Sequence, residues 1–133
     1  MGYYFSIKDA NLLIPDIVNK LTRTKKIKIQ LHQCEQKLKD IVSSSYSLQN
    51  YVAAKQDLNN LLTAFYNSID DLEKTGVILK DLDKGLIDFP SKRFNEEIWL
   101  CWKEGESEIK FWHEKNTGFL SRKPIFVDAN SLI

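Results

Sequence analysis

Histidine, cysteine, glycine and long apolar runs are all scarce in this 133-residue chain, and each scarcity excludes something. With only His32 and His113, a histidine-rich metal centre is out of reach, and His32 and Cys34, two apart on a helix, face different ways. The two cysteines, Cys34 and Cys101, stand in different contexts and form neither a disulfide framework nor a Cys-x-x-C pair. Five glycines build no phosphate-cradling loop, and no His-Glu-x-x-His pattern occurs. No metal ligand set and no cofactor is expected. No run approaches the roughly 20 apolar residues of a membrane span. The first residues, Tyr3-Tyr4-Phe5-Ser6, carry no basic flank or leader-like apolar stretch, so a cytoplasmic protein without membrane association is expected.

Charge of one sign is missing too. Nineteen basic against eighteen acidic side chains leave a net charge of +1, which gives no overall pull toward nucleic acid. One basic stretch, Arg23, Lys25, Lys26 and Lys28, is diluted on either side by Asp9, Asp16, Glu35 and Asp40 and reads as a solvated helix face. RNA or ribosome binding through it is the least favoured function.

What the chain does have is a 43% share of hydrophobic residues, arranged with clear periods. Ser6 and Asp9 precede Ala10, Leu12, Leu13 and Ile14 as a capping pair, and Pro15 is expected to end that short helix, over 7–14, and start another. Ile17, Leu21, Ile27, Leu31, Cys34, Leu38 and Ile41, with Thr24 in the gap, then recur at spacings of three and four, predicting a helix over 15–43. After Ser43-Ser44-Ser45 a second stripe, Leu48, Tyr51 or Val52, Leu58, Leu62, Phe65, Ile69 and Leu72, predicts a helix over 47–75 that Gly76 caps. Lys55 weakens this stripe. Two stripes near a 3.5-residue repeat should pack as an antiparallel, coiled-coil-like hairpin.

From Val77 the pattern changes. Val77-Ile78-Leu79 and Leu86-Ile87-Asp88-Phe89 flank the turn residues Asp81 to Gly85, with Pro90 closing the second strand and a polar loop from Ser91 to Glu97. Ile98 to Trp102 and Ile109 to Glu114 read as two more strands, and Ile125-Phe126-Val127 as an edge strand before a loose tail. The fold class is α+β, mainly α: one 1–133 domain with a small antiparallel β module over 77–127 packed on the helices.

The residue types with most chemical potential gather late. Trp102, Glu106, Trp112, His113, Glu114 and Arg122 offer an imidazole, carboxylates and a guanidinium beside aromatic walls, which is the material of a polar pocket. The structural alternative is that His113 and Arg122 satisfy backbone groups and a carboxylate while the tryptophans form core. Asp81, Asp83 and Asp88 could hold a hard cation, although aspartates at turns usually bond their own backbone. Cys101, between Trp99 and Trp102, reads as a buried core thiol with a raised pKa and no nucleophilic role.

Gly76-Val77-Ile78-Leu79-Lys80-Asp81-Leu82 followed by Gly85-Leu86-Ile87-Asp88-Phe89-Pro90 resembles the signature of the DUF2203 family. The similarity continues through Leu100-Cys101-Trp102, Gly105-Glu106, Phe111-Trp112-His113-Glu114, Gly118-Phe119 and Arg122-Lys123-Pro124-Ile125, and touches Phe5-Ser6 and Ala10-Asn11. Members of that family are uncharacterised prokaryotic proteins. The resemblance therefore implies a domain type and a prokaryotic cytoplasmic origin, with no activity, cofactor or catalytic residue attached, and Phe111 stands where many relatives carry tyrosine. The leading expectation is a non-enzymatic interaction module that self-associates or binds a protein partner through the hairpin. The alternative is a small-ligand binder or enzyme using His113 as acid or base, Glu106 or Glu114 to orient it, and Arg122 to hold an anionic group.

Overall fold

A computed structural model describes residues 3–44 and 47–125. Two helices, α1 (Ile7–Ser44) and α2 (Leu48–Glu73), precede a five-stranded antiparallel sheet of β1 (Ile78–Asp81), β2 (Leu86–Arg93), β3 (Glu96–Lys103), β4 (Phe111–Glu114) and β5 (Lys123–Pro124), ordered as in the sequence. The chain packs as two compact units, Met1–Leu21 with Leu72–Ile133, and Thr22–Asp71. The mainly α, α+β reading of the sequence holds.

In the first unit, Ser6 caps α1 by accepting the Asp9 N–H on its hydroxyl at 3.0 Å. The expected break at Pro15 does not occur, and the separate 7–14 helix is the opening of α1. Proline there removes one helical hydrogen bond, a loss of about 3 kcal/mol in a helix interior. Ala10, Ile14, Ile17 and Leu21 recur at spacings of four, three and four, and all are buried in one cluster while Pro15 faces solvent. Burying each large apolar side chain contributes roughly 1.5–3 kcal/mol, so continuous packing outweighs the one missing bond. Gly76, at φ +105°, ends α2 with its N–H donating to the Glu73 carbonyl at 3.0 Å.

The sheet turns one face to that cluster. Ile87, Phe89, Ile98, Leu100 and Trp102 lie on it with Phe5, Leu72, Val77 and Ile109. Because strand side chains alternate, Leu86, Asp88, Pro90, Trp99, Cys101, Phe111 and His113 face the other way.

Pro90 does not close β2, which runs through it to Arg93. Its carbonyl accepts the Phe5 N–H at 2.7 Å, so the missing proline N–H lies on that side of the strand and costs the β2–β3 ladder nothing. The expected polar loop from Ser91 to Glu97 is likewise a hairpin. Arg93 pairs with Glu96 around Phe94 and Asn95, both with positive φ (50° and 68°), the backbone of a two-residue primed turn. The last strand lies at Lys123–Pro124 instead of starting at Ile125, whose N–H donates to the Lys110 carbonyl at 2.8 Å. Phe126, Val127 and the tail fall outside the described residues.

In the second unit the helices run antiparallel, pairing Thr24 with Ser68 and Cys34 with Ala54. The α1 seam follows the predicted stripe. On α2 the predicted stripe is kept at its far end, with Leu72 buried and Leu58, Leu62, Phe65 and Ile69 half-buried, while Ala54 and Ser68 are buried beside it and Leu48 and Val52 near the turn are exposed. Cys34 Sγ lies 3.6 Å from the Ala54 carbonyl oxygen. Among the described residues, no helix is long and apolar enough to cross a membrane.

Candidate functional site

The outward face of the sheet would ordinarily be wet, yet its centre is sealed. Register places Asp88 directly opposite Cys101 and pairs Cys101 with Phe111, so His113, two residues along β4, is the diagonal neighbour of the thiol. All three are buried, at 3%, 2% and 2% exposure. One donor atom from each, a carboxylate oxygen, Sγ and a ring nitrogen, lie within 4.8 Å of one another.

The imidazole is fixed from both sides. Nδ1 lies 2.9 Å from the Glu114 carbonyl oxygen, which can only accept, so Nδ1 carries a proton. Nε2 then faces Asp88 Oδ2 at 3.1 Å, and a single proton between those two atoms completes the contact. Burial pushes the Asp88 carboxyl above its ordinary range even against the opposing pull of His113. Burial, reinforced by the Asp88 charge, pushes the Cys101 thiol up to about 12 although Arg122 lowers it. This cluster stores protons, and Cys101 is no thiolate nucleophile at neutral pH. The predicted raised pKa is correct, but the thiol belongs to this polar cluster and not to the apolar core.

Arg122 closes the site from the loop before β5. Its guanidinium makes a two-pronged ion pair with Glu106, Nη1 to Oε1 at 3.1 Å and Nη2 to Oε2 at 3.0 Å. It stacks between Phe111 and Phe119, 3.9 and 4.3 Å from their ring centres. Glu106 is itself held by the Lys103 N–H at 2.8 Å, in the turn between β3 and β4.

Of the six residues singled out from the sequence, His113, Arg122 and Glu106 gather around Cys101. The other three lie elsewhere. Trp102 is in the core with its indole N–H on the Glu106 carbonyl at 2.9 Å, Trp112 packs against that core, and Glu114 pairs with Lys123. Strand alternation splits His113 from Trp112 and Glu114. Asp88 is the partner of His113 that no sequence motif announces. Its signal was a carboxylate inside the apolar run Leu86-Ile87-Asp88-Phe89, where burial demands a partner. Asp81 accepts the Lys84 N–H at 2.9 Å as a turn residue, so the notion of a cation shared by Asp81, Asp83 and Asp88 gives way: Asp88 is buried within β2 against His113.

A family model described as an uncharacterized conserved protein, DUF2203, matches residues 3–125. Neither the curated proteins nor the solved structures contain a match.

Proposed function

Since the chain belongs to the DUF2203 family of uncharacterized conserved proteins, we propose that it is a non-enzymatic interaction module, prokaryotic and cytoplasmic, that self-associates through its helical hairpin. The observation that carries this reading is the unfinished burial of the hairpin's turn-proximal half. Beyond Leu31 on α1, and before Ala54 on α2, none of the described residues is buried. Leu38, Ile41 and Tyr51 are half-exposed along the seam, and Val42, Leu48 and Val52 are exposed beside it.

Two helices alone can cover only one side of each stripe. A second copy offers the same stripe by two-fold symmetry, and four helices in a left-handed, coiled-coil-like bundle would bury what two leave wet. Overall charge points to no competing partner, because the net charge is +1 and Asp16 and Glu35 flank the basic stretch of α1. Sedimentation of the full chain across a hundredfold concentration range tests the idea. A dimer that Val42→Glu or Leu48→Glu dissociates, with helicity unchanged, supports it, and a strict monomer at every concentration rejects it.

A second reading, a small-ligand binder, draws on the meeting of His113 and Arg122 beside Cys101. A ligand would have to displace the paired Arg122. Thermal-shift screening of anionic compounds against wild type and Arg122→Gln decides it, a shift retained in the variant counting against.

A further inference from the structure

We propose that Asp88, Cys101 and His113 form a binding site for one divalent transition-metal ion, zinc by its donor chemistry. Three neighbouring strands deliver a carboxylate, a thiol and an imidazole to one point of one sheet face, with donor atoms no more than 4.8 Å apart. A mixed sulfur, nitrogen and oxygen set of three suits a tetrahedral zinc ion whose fourth position goes to water. Two ligand atoms about 2.0–2.1 Å from zinc at a tetrahedral angle stand roughly 3.3 Å apart. His113 Nε2 and Asp88 Oδ2 are already at 3.1 Å. The thiol has to close from at most 4.8 Å to about 3.6 Å.

The surroundings agree. Metal-bound histidines usually give their other ring N–H to a carbonyl or carboxylate, which fixes the tautomer. Here Nδ1 gives its proton to the Glu114 carbonyl, leaving Nε2 as the inward atom. Charge closes as well: a divalent cation with one carboxylate and one thiolate is neutral, and the nearby Arg122 is matched by Glu106. A neutral buried site avoids the desolvation cost of an unpaired charge. In the metal-free chain the same positions hold protons, one on the thiol and one between Asp88 and His113. Binding the ion therefore releases both to solvent as the metal–sulfur, metal–nitrogen and metal–oxygen bonds form, with no change of oxidation state.

The site is independent of hairpin self-association, so either reading can fail alone. The test is cobalt(II) titration of the full chain after chelator treatment, followed by zinc competition. Wild type and Cys34→Ser should both develop thiolate-to-cobalt absorption and tetrahedral visible bands saturating at one ion per chain, and zinc should bleach them. Cys101→Ser and His113→Gln should weaken zinc binding by at least about 100-fold, since changes to outer partners alone cost 10–100-fold. Should Cys101→Ser fail to fold, Cys34→Ser still decides, because Cys101 is then the single thiol. No thiolate band in Cys34→Ser, or zinc affinity unchanged in a folded Cys101→Ser, overturns the proposal.

Discussion

The side-chain oxygen of Asn11 accepts the backbone N–H of Ile109 at 2.6 Å, tying the second turn of α1 to the approach of β4 across 98 residues of chain. Ile109 is buried and precedes β4, so no ladder partner serves its N–H. Asn11→Ala should leave that donor unpaired and lower unfolding free energy by about 1–3 kcal/mol. Denaturant titration reads it directly, and a change below about 0.5 kcal/mol, the size of an ordinary surface substitution, would show that water replaces the amide at no cost.

Thr24 and Ser68 form a hydroxyl pair inside the hairpin, Oγ1 to Oγ at 3.0 Å, with the serine hydroxyl donating on to the Phe65 carbonyl at 2.7 Å. Thr24→Val keeps the shape and removes one partner, at an expected cost of about 1 kcal/mol. Replacing both, Thr24→Val with Ser68→Ala, should recover part of that loss. A double-mutant cycle with no coupling would contradict the pairing.

Gly85 sits at φ +67°, and a β-carbon there would lie 2.5 Å from that of Glu104. Gly85→Ala combines left-handed backbone strain with a collision against side-chain and turn. A loss of about 2–3 kcal/mol is expected, read as a lower thermal midpoint.

Alkaline pH should weaken the fold through Cys101. Its folded value is raised from an ordinary 9.0 to about 12, so the protonated thiol is the form the fold favours. Its contribution is complete below pH 9 and is lost as pH rises toward 12, on the order of a few kcal/mol at roughly 1.4 kcal/mol per unit. Urea midpoints between pH 8 and 11 should fall less steeply in Cys101→Ala than in wild type. Parallel slopes would mean that the thiol is not sealed.

The sequence reveals the hairpin, its caps and the antiparallel sheet because each rests on local pattern: Ser6 before Asp9, Gly76 after a helix, Asp81 to Gly85 between apolar runs. On α2 it finds Leu72 and the half-buried Phe65 and Ile69, but hydrophobicity also favours Leu48 and Val52, which are exposed, and passes over the small Ala54 and Ser68, which are buried. It stops α1 at Pro15 because the continuous burial of Ile14, Ile17 and Leu21 exists only once the sheet is there to receive them. Half the candidate cluster was legible. His113 and Arg122 stand out as unusual residues, but Asp88 lies 25 positions from His113, and only the strand register joins them.

The first unit is discontinuous, Met1–Leu21 joined to Leu72–Ile133, with Thr22–Asp71 inserted between. As a random coil, closing an insert of that length would cost on the order of 3–4 kcal/mol in entropy from the (3/2)RT ln n term alone. An antiparallel hairpin forms from contacts near in sequence and returns its two ends to neighbouring positions, so its early zippering shortens the search for Leu21 and Leu72. The insert then serves as a folding clamp, and weakening its seam should slow the appearance of a sheet that none of its own residues belongs to.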